Sequence, residues 1–153
     1  MEIEIERKFA VKKNWQPQGE GERIAQGYLT DDENKTVRVR LKGGRGFLTI
    51  KGKTQNISRQ EFEYEIPAAD AEKLLILCGE KVLAKRRYQE THGGFVWEID
   101  VFEGANAPLV MAEIELPSEE TVFIRPDWLG EELSFDKRYF NSYLAKVPYG
   151  SWK

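Results

Sequence analysis

A chain of 153 residues suffices for one domain with a sizeable core, and no linker or low-complexity stretch divides it, so a single domain over 1–153 is expected. Its 23 basic and 26 acidic side chains nearly cancel to a formal charge of −3, which argues against a nucleic-acid partner recruited by net charge. One cysteine, Cys78, excludes an internal disulfide; no apolar run is long enough to span a bilayer, and charge begins at residue 2, so a cytoplasmic protein without a membrane partner is expected.

The first element, EIEIERKF (2–9), alternates acid and isoleucine. As a strand it sets Glu2, Glu4, Glu6 and Lys8 on one face and Ile3, Ile5, Arg7 and Phe9 on the other. RIAQGYL (23–29) is a less regular strand, followed by Asp31, Asp32, Glu33 and Asn34 as a turn. KTVRVRLK (35–42) places Arg38, Arg40 and Lys42 opposite Val37, Val39 and Leu41. A Gly43, Gly44, Gly46 loop joins it to GFLTIKGK (46–53), where Thr49, Lys51 and Lys53 oppose Leu48 and Ile50. RQEFEYEI (59–66) sets Glu61, Glu63 and Glu65 against Phe62, Tyr64 and Ile66.

Residues 67–79 read as a helix, with Pro67 at its start, Gly79 at its end, and Leu74, Leu75, Leu77 and Cys78 covering a sheet. Strands resume with VLAKRRY (82–88), FVWEIDVF (95–102) and LVMAEIEL (109–116). Their charged faces carry Lys85 and Arg87, then Glu98 and Asp100, then Glu113 and Glu115. A short helix around 127–131 and a second long helix over 134–146 close the chain. Ser134 is the expected N-cap of the latter, with Phe135, Tyr139 and Tyr143 on its apolar face.

Charged alternation in any one strand marks a solvated face. Here nearly every strand has it, and within a strand the charges mostly share one sign. Like charges at neighbouring positions of one face repel. Rows of opposite sign make sense if acidic and basic strands face each other across a water-filled space that holds a polyanion together with cations. Closure around such a lumen takes roughly eight strands. The apolar faces then point outward, Trp97 among them, to be covered by helices, loops or a second copy in a homodimer. His92, alone in a loop, and Cys78 carry no metal-site signal. Trp15, Trp128 and Trp152 lie outside the strands.

The signed pairs follow a particular order: EIERK at 4–8, then VRVRL, TIKGK, EFEYE, AKRRY, WEIDV and AEIEL, with DKRYFNSYLA near the end. This resembles the CYTH, or triphosphate tunnel metalloenzyme, superfamily over essentially the whole chain, at the length of its compact bacterial members. The resemblance implies a mainly β (α+β) fold, a closed eight-stranded antiparallel barrel with a charged lumen and flanking helices. It implies metal-dependent hydrolysis of inorganic triphosphate to pyrophosphate and phosphate, with Mg2+ or Mn2+. By the same resemblance Glu4, Glu6, Glu113 and Glu115 hold the metal. Lys8, Arg38, Arg40, Lys51, Lys85 and Arg87 hold phosphates, with Lys42 and Lys53 added by parity. Glu61, Glu63, Glu98 and Asp100 orient those bases or support a second metal, while Glu2 and Glu65 sit nearer the mouth.

The chemistry agrees with this assignment. Hard divalent ions take oxygen ligands, and triphosphate needs several cations to offset its desolvation. Lys85 and Tyr28 are the candidates for orienting or deprotonating the attacking water. The same grip on phosphates also suits a class IV-like adenylate cyclase, a thiamine triphosphatase, or a non-catalytic polyphosphate- or nucleotide-binding module.

Overall fold

A computed structural model describes residues 2–32 and 34–152, apart from the side chains of Glu2 and Asp31. Glu33 of the acidic turn and the side chain of Glu2 therefore lie outside the described residues. The strands are β1 (Glu2–Val11), β2 (Glu22–Asp31), β3 (Lys35–Lys42), β4 (Arg45–Gly52), β5 (Ser58–Ile66), β6 (Val82–His92), β7 (Phe95–Phe102), β8 (Val110–Glu115) and β9 (Leu129–Glu132). The helices are α1 (Ala68–Leu77) and α2 (Asn141–Lys146).

The strands run in the order β5-β4-β3-β2-β6-β7-β8-β1, and an antiparallel β1–β5 pairing closes the ring. Eight antiparallel strands thus form a barrel, as the alternation predicts. β1 is long enough to serve two neighbours on one edge. Its Glu2–Ile5 half pairs with β5, and beyond β5's reach Phe9 and Val11 pair with β9. On its other edge Glu6 to Ala10 pair with β8. Gly43 and Gly44 turn the β3–β4 hairpin, both at positive φ, the conformation a tight two-residue turn demands.

The alternation sorts apolar side chains to the outer wall, where three clusters bury them. Phe9, Trp97, Ile99, Ala112 and Ile114 lie beneath Trp128, Leu129, Phe123 and Trp15. Trp97 is on the outer face but fully buried, in edge-on contact with Phe9, Phe123 and Trp128. A second cluster joins Leu83, Phe102 and Met111 to Leu144 and Ala145 of α2. In the third, α1 covers Val39 and Leu41 with Ala71, Leu74, Leu75 and Cys78, the spacing of one helical stripe. Leu77, expected in that stripe, is one position out of phase and 73% exposed. Gly46 lets α1 dock: a Cβ there would stand 2.8 Å from the Ala71 Cβ.

The C-terminal third departs from the sequence reading. Residues 129–132 are strand β9, not part of a helix. β1 runs past β5, and the backbone groups on that stretch of edge need partners. Ser134 does not cap a helix. Its hydroxyl accepts from the Lys8 amide at 2.9 Å and donates to Glu132 at 2.6 Å, which keeps the chain extended along β1. The helix over 134–146 shrinks to α2, preceded by a 3-10 turn at Lys137–Tyr139 whose cap is Asp136. Phe135, expected on an apolar helix face, is 68% exposed. No helix among the described residues is long and apolar enough to cross a membrane.

Candidate active site

The polar faces of the strands meet inside the barrel around a cavity of about 240 Å³. Its lining includes eight basic residues, Lys8, Arg38, Arg40, Lys42, Lys51, Arg59, Lys85 and Arg87. Seven carboxylates join them: Glu4, Glu6, Glu61, Glu63, Glu98, Glu113 and Glu115. Tyr28 and Thr36 also line it, and Phe140, Asn141 and Ser142 reach in from around the start of α2.

One wall is acidic. β1 and β8 set Glu6 opposite Glu115 and Lys8 opposite Glu113. Lys8 Nζ lies 2.6 Å from Glu6 and 3.4 Å from Glu113. Burial would lower the Lys8 pKa, but Glu113 and Glu6 outweigh it and raise it. Burial also opposes the charge on Glu4, yet Lys51 at 3.1 Å, Arg59 at 3.4 Å and Lys8 hold its pKa at about 2. Glu6 is held at about 2 against burial, chiefly by Lys8. Glu115 differs: burial and the facing Glu4, Glu6 and Glu98 push its pKa up, and no ion pair joins it to a described residue.

The opposite wall is basic and anchored from below. Asp100, fully buried, accepts from Arg87 Nε and Nη2 at 2.7 and 2.8 Å and lies 2.8 Å from Lys85 Nζ. Burial alone would raise the Asp100 pKa; Arg87 and Lys85 bring it to about 2. Lys85 is lowered to about 7 by burial and by Arg87 and Arg40, against the pull of Asp100. Arg87 also meets Glu98 at 3.2 Å. Arg40 donates twice to Gln26 Oε1, at 3.1 and 2.9 Å. Arg38 donates to Thr49 at 3.2 Å, and Thr49 donates to Glu63 at 2.8 Å. Lys51 bridges Glu4 and Glu61, the latter at 3.3 Å; burial lowers its pKa, with Arg59 and Arg38 adding to the effect.

Parity in the sequence placed most of these side chains together. Asp100 shares their face but lies beneath Lys85 and Arg87, outside the cavity lining, so it steadies bases and does not touch the contents. Lys53 is not in the lumen. β4 ends at Gly52, and Lys53 lies exposed beside a neighbouring 370 Å³ cavity, with Thr54, Lys137 and Tyr143. Glu65 pairs with Arg45 at 2.6 Å at an exposed strand end. Arg59 lines the lumen outside the signed pairs, although it shares parity with Glu61 and Glu63. Gln26, Phe140, Asn141 and Ser142 carried no charge signal and gave none to find. Trp15 and Trp128 both donate to Glu90 on the outer wall, away from the lumen.

Among the described residues no three carboxylates converge tightly enough to hold a metal ion; the Lys8 and Lys51 ammonium groups lie between them. The donor set nonetheless suits a hard divalent cation. It is all oxygen, and Glu115 faces three like charges with no ion-paired cation among the described residues.

The CYTH domain model matches residues 2–148. An inorganic triphosphatase of Acetivibrio thermocellus is 47% identical over 152 residues, covering 98% of this chain and 97% of that protein. One of Nitrosomonas europaea is 39% identical over 148 residues, covering 93% of this chain and 96% of its own. A crystal structure of an inorganic triphosphatase superimposes with a TM-score of 0.68 at 38% identity, over 95% of each chain. A family match across nearly the full length, together with a closed barrel whose lumen carries the signed pairs, means that the chain belongs to the CYTH domain family.

Proposed function

We propose that the protein hydrolyses inorganic triphosphate to pyrophosphate and phosphate. The observation that carries this reading is the lumen itself, about 240 Å³ lined, among the described residues, by eight bases and seven carboxylates. Sites that enclose organic ligands run to roughly 300–1,000 Å³ and are mostly apolar. This one is smaller and highly charged, and among the described residues its only aromatic lining comes from Tyr28 and Phe140. Two near-full-length relatives being inorganic triphosphatases supports the same choice.

Membership of the family implies a divalent metal ion, and Glu4, Glu6, Glu113 and Glu115 are the residues that would hold it, as Mg2+ or Mn2+. When bound, such an ion supplies Lewis-acid charge to phosphate oxygens and acidifies coordinated water. The chain's own part is positioning and charge. Arg38, Arg40 and Arg87 offer planar forks to phosphate oxygens, and Lys8, Lys51 and Arg59 add positive charge. Asp100 keeps Arg87 and Lys85 aimed. Burial raises the Tyr28 pKa, so the phenol keeps its proton and acts as a donor. Lys85, at about 7, is the group able to take a proton from water near neutrality. Cytoplasmic residence is part of the proposal.

The test is phosphate release from triphosphate, ATP and thiamine triphosphate, each with Mg2+ or Mn2+. Triphosphate is expected to have the highest kcat/KM. A large preference for ATP, or formation of cyclic AMP, would replace this reading with the nucleotide one. Tight metal-dependent binding without turnover would replace it with a binding module.

A further inference from the structure

Asn141, the first residue of α2, reaches into the lumen wall from outside the barrel. Its Oδ1 accepts from Lys85 Nζ at 2.8 Å and from Gln26 Nε2 at 3.2 Å. The same Gln26 Nε2 donates to the Tyr28 hydroxyl at 3.0 Å.

The direction of every bond in this chain is fixed by the groups at its ends. Arginine and lysine have no acceptor in their charged forms. The two Arg40 contacts therefore require Gln26 to present its carbonyl oxygen to Arg40 and its amide nitrogen to Tyr28 and Asn141. The Gln26 amide in turn requires the oxygen of Asn141, which therefore faces Lys85 in either charge state of the lysine. Gln26 then has two amide protons and an acceptor for each, Tyr28 and Asn141. Gln26 is 0% exposed, so water cannot substitute for a lost partner.

The consequence falls on the two groups facing the cavity. The Tyr28 oxygen accepts a hydrogen bond from Gln26, and no other hydrogen bond joins it to a described residue. Its own O–H is left to point at the lumen. Lys85 meets two acceptors, Asp100 and Asn141, both at 2.8 Å. In its neutral form its two N–H bonds are taken by them, and the lone pair is left for the lumen.

We propose that Asn141 is a positioning residue for hydrolysis: its carbonyl oxygen directs the Lys85 lone pair to the lumen and, by holding the second Gln26 amide proton, steadies the amide that Arg40 orients toward Tyr28. This rests on the triphosphatase reading above. It assigns α2 a part in the chemistry beyond capping the second apolar cluster.

The experiment is steady-state hydrolysis of triphosphate by the wild type and by Asn141→Ala, Asn141→Leu, Tyr28→Phe and the Asn141→Ala/Tyr28→Phe double variant. Asn141→Leu keeps the bulk of the side chain and guards against a loosened helix. Both Asn141 variants are expected to lose at least tenfold in kcat, with KM within about threefold of wild type. The double variant is expected to lose clearly less than the product of the two single losses, because both act on one hydroxyl. Unchanged kcat, a rise confined to KM, or losses that simply multiply would overturn the proposal. A wild type inactive on triphosphate would instead overturn the functional reading on which it stands.

Discussion

Glu6 of β1 stands directly across the antiparallel ladder from Glu115 of β8, carboxylate facing carboxylate in the lumen. Like charges in that relation destabilise a sheet. Lys8 satisfies Glu6 at 2.6 Å, but Glu115 has no such partner among the described residues, and its pKa is pushed up by burial and by Glu4, Glu6 and Glu98. A bound divalent cation reverses that penalty. Glu115→Gln should therefore raise the melting temperature of the metal-free protein slightly, while erasing the rise expected of the wild type on adding Mg2+ or Mn2+. Calorimetry with and without the ion checks both halves. A Glu115→Gln variant that keeps the full Mg2+ shift and full activity would remove Glu115 from the metal site.

Asp100 ties two basic side chains from beneath, so its loss should be felt in stability as well as rate. Leaving Lys85 and Arg87 without their buried partner costs about 3–5 kcal/mol, and Asp100→Asn should show a loss of that order in urea unfolding.

The same carboxylates shape the acid limb. Asp100 is held at about 2 against an ordinary 3.8, and Glu4 and Glu6 at about 2 against 4.5. For carboxyls whose folded pKa is depressed, the stabilisation is complete above the unfolded value and lost as pH falls through the folded one. Stability should thus decline from about pH 4.5 down to about 2, measured by unfolding across that range in metal-free buffer. A flat profile would contradict the pairing described for these residues.

Lys85 lies at about 7, so its neutral form gains population as pH rises through that value. kcat/KM for triphosphate should rise over the same interval if Lys85 takes the proton. Lys85→Arg keeps the positive charge but cannot lose its proton, so the rise should vanish along with most of the rate. A limb that survives in Lys85→Arg belongs to the substrate's own ionisation.

Arg59 and Lys53 make a paired test of register. Arg59 lines the lumen, 3.4 Å from Glu4 and with its guanidinium over the Phe140 ring; Lys53 lies exposed past the end of β4. Arg59→Ala should raise KM for triphosphate at least tenfold, and Lys53→Ala should change it by less than about threefold, a gap well beyond what one exposed charge contributes.

Gly46 offers a check on the fold alone. A methyl group there would crowd the Ala71 Cβ at 2.8 Å and the Ile66 carbonyl oxygen at 2.9 Å. Gly46→Ala should cost about 1–3 kcal/mol by forcing α1 away from β4, with kcat retained.

Period-two alternation determined which residues face the lumen, because side-chain direction in a strand depends only on position along the chain. The signed rows at Glu4 to Lys8, Arg38 to Lys42 and Glu113 to Glu115 were therefore legible residue by residue, and Arg59 was legible by the same parity. Where strands stop is not encoded in parity, so parity alone places Lys53 in a lumen it does not enter. The C-terminal third was decided by tertiary structure. Residues 129–134 look helical or capping in isolation, but the stretch of β1 edge beyond β5 leaves backbone groups that only an added strand satisfies. Pairing was likewise beyond the sequence. That Asp100 lies under Lys85, that Glu6 faces Glu115, and that an uncharged Asn141 meets Gln26 and Lys85 all depend on strand register and on where α2 docks. Alternation along one chain specifies a face; contacts between faces exist only once the barrel closes.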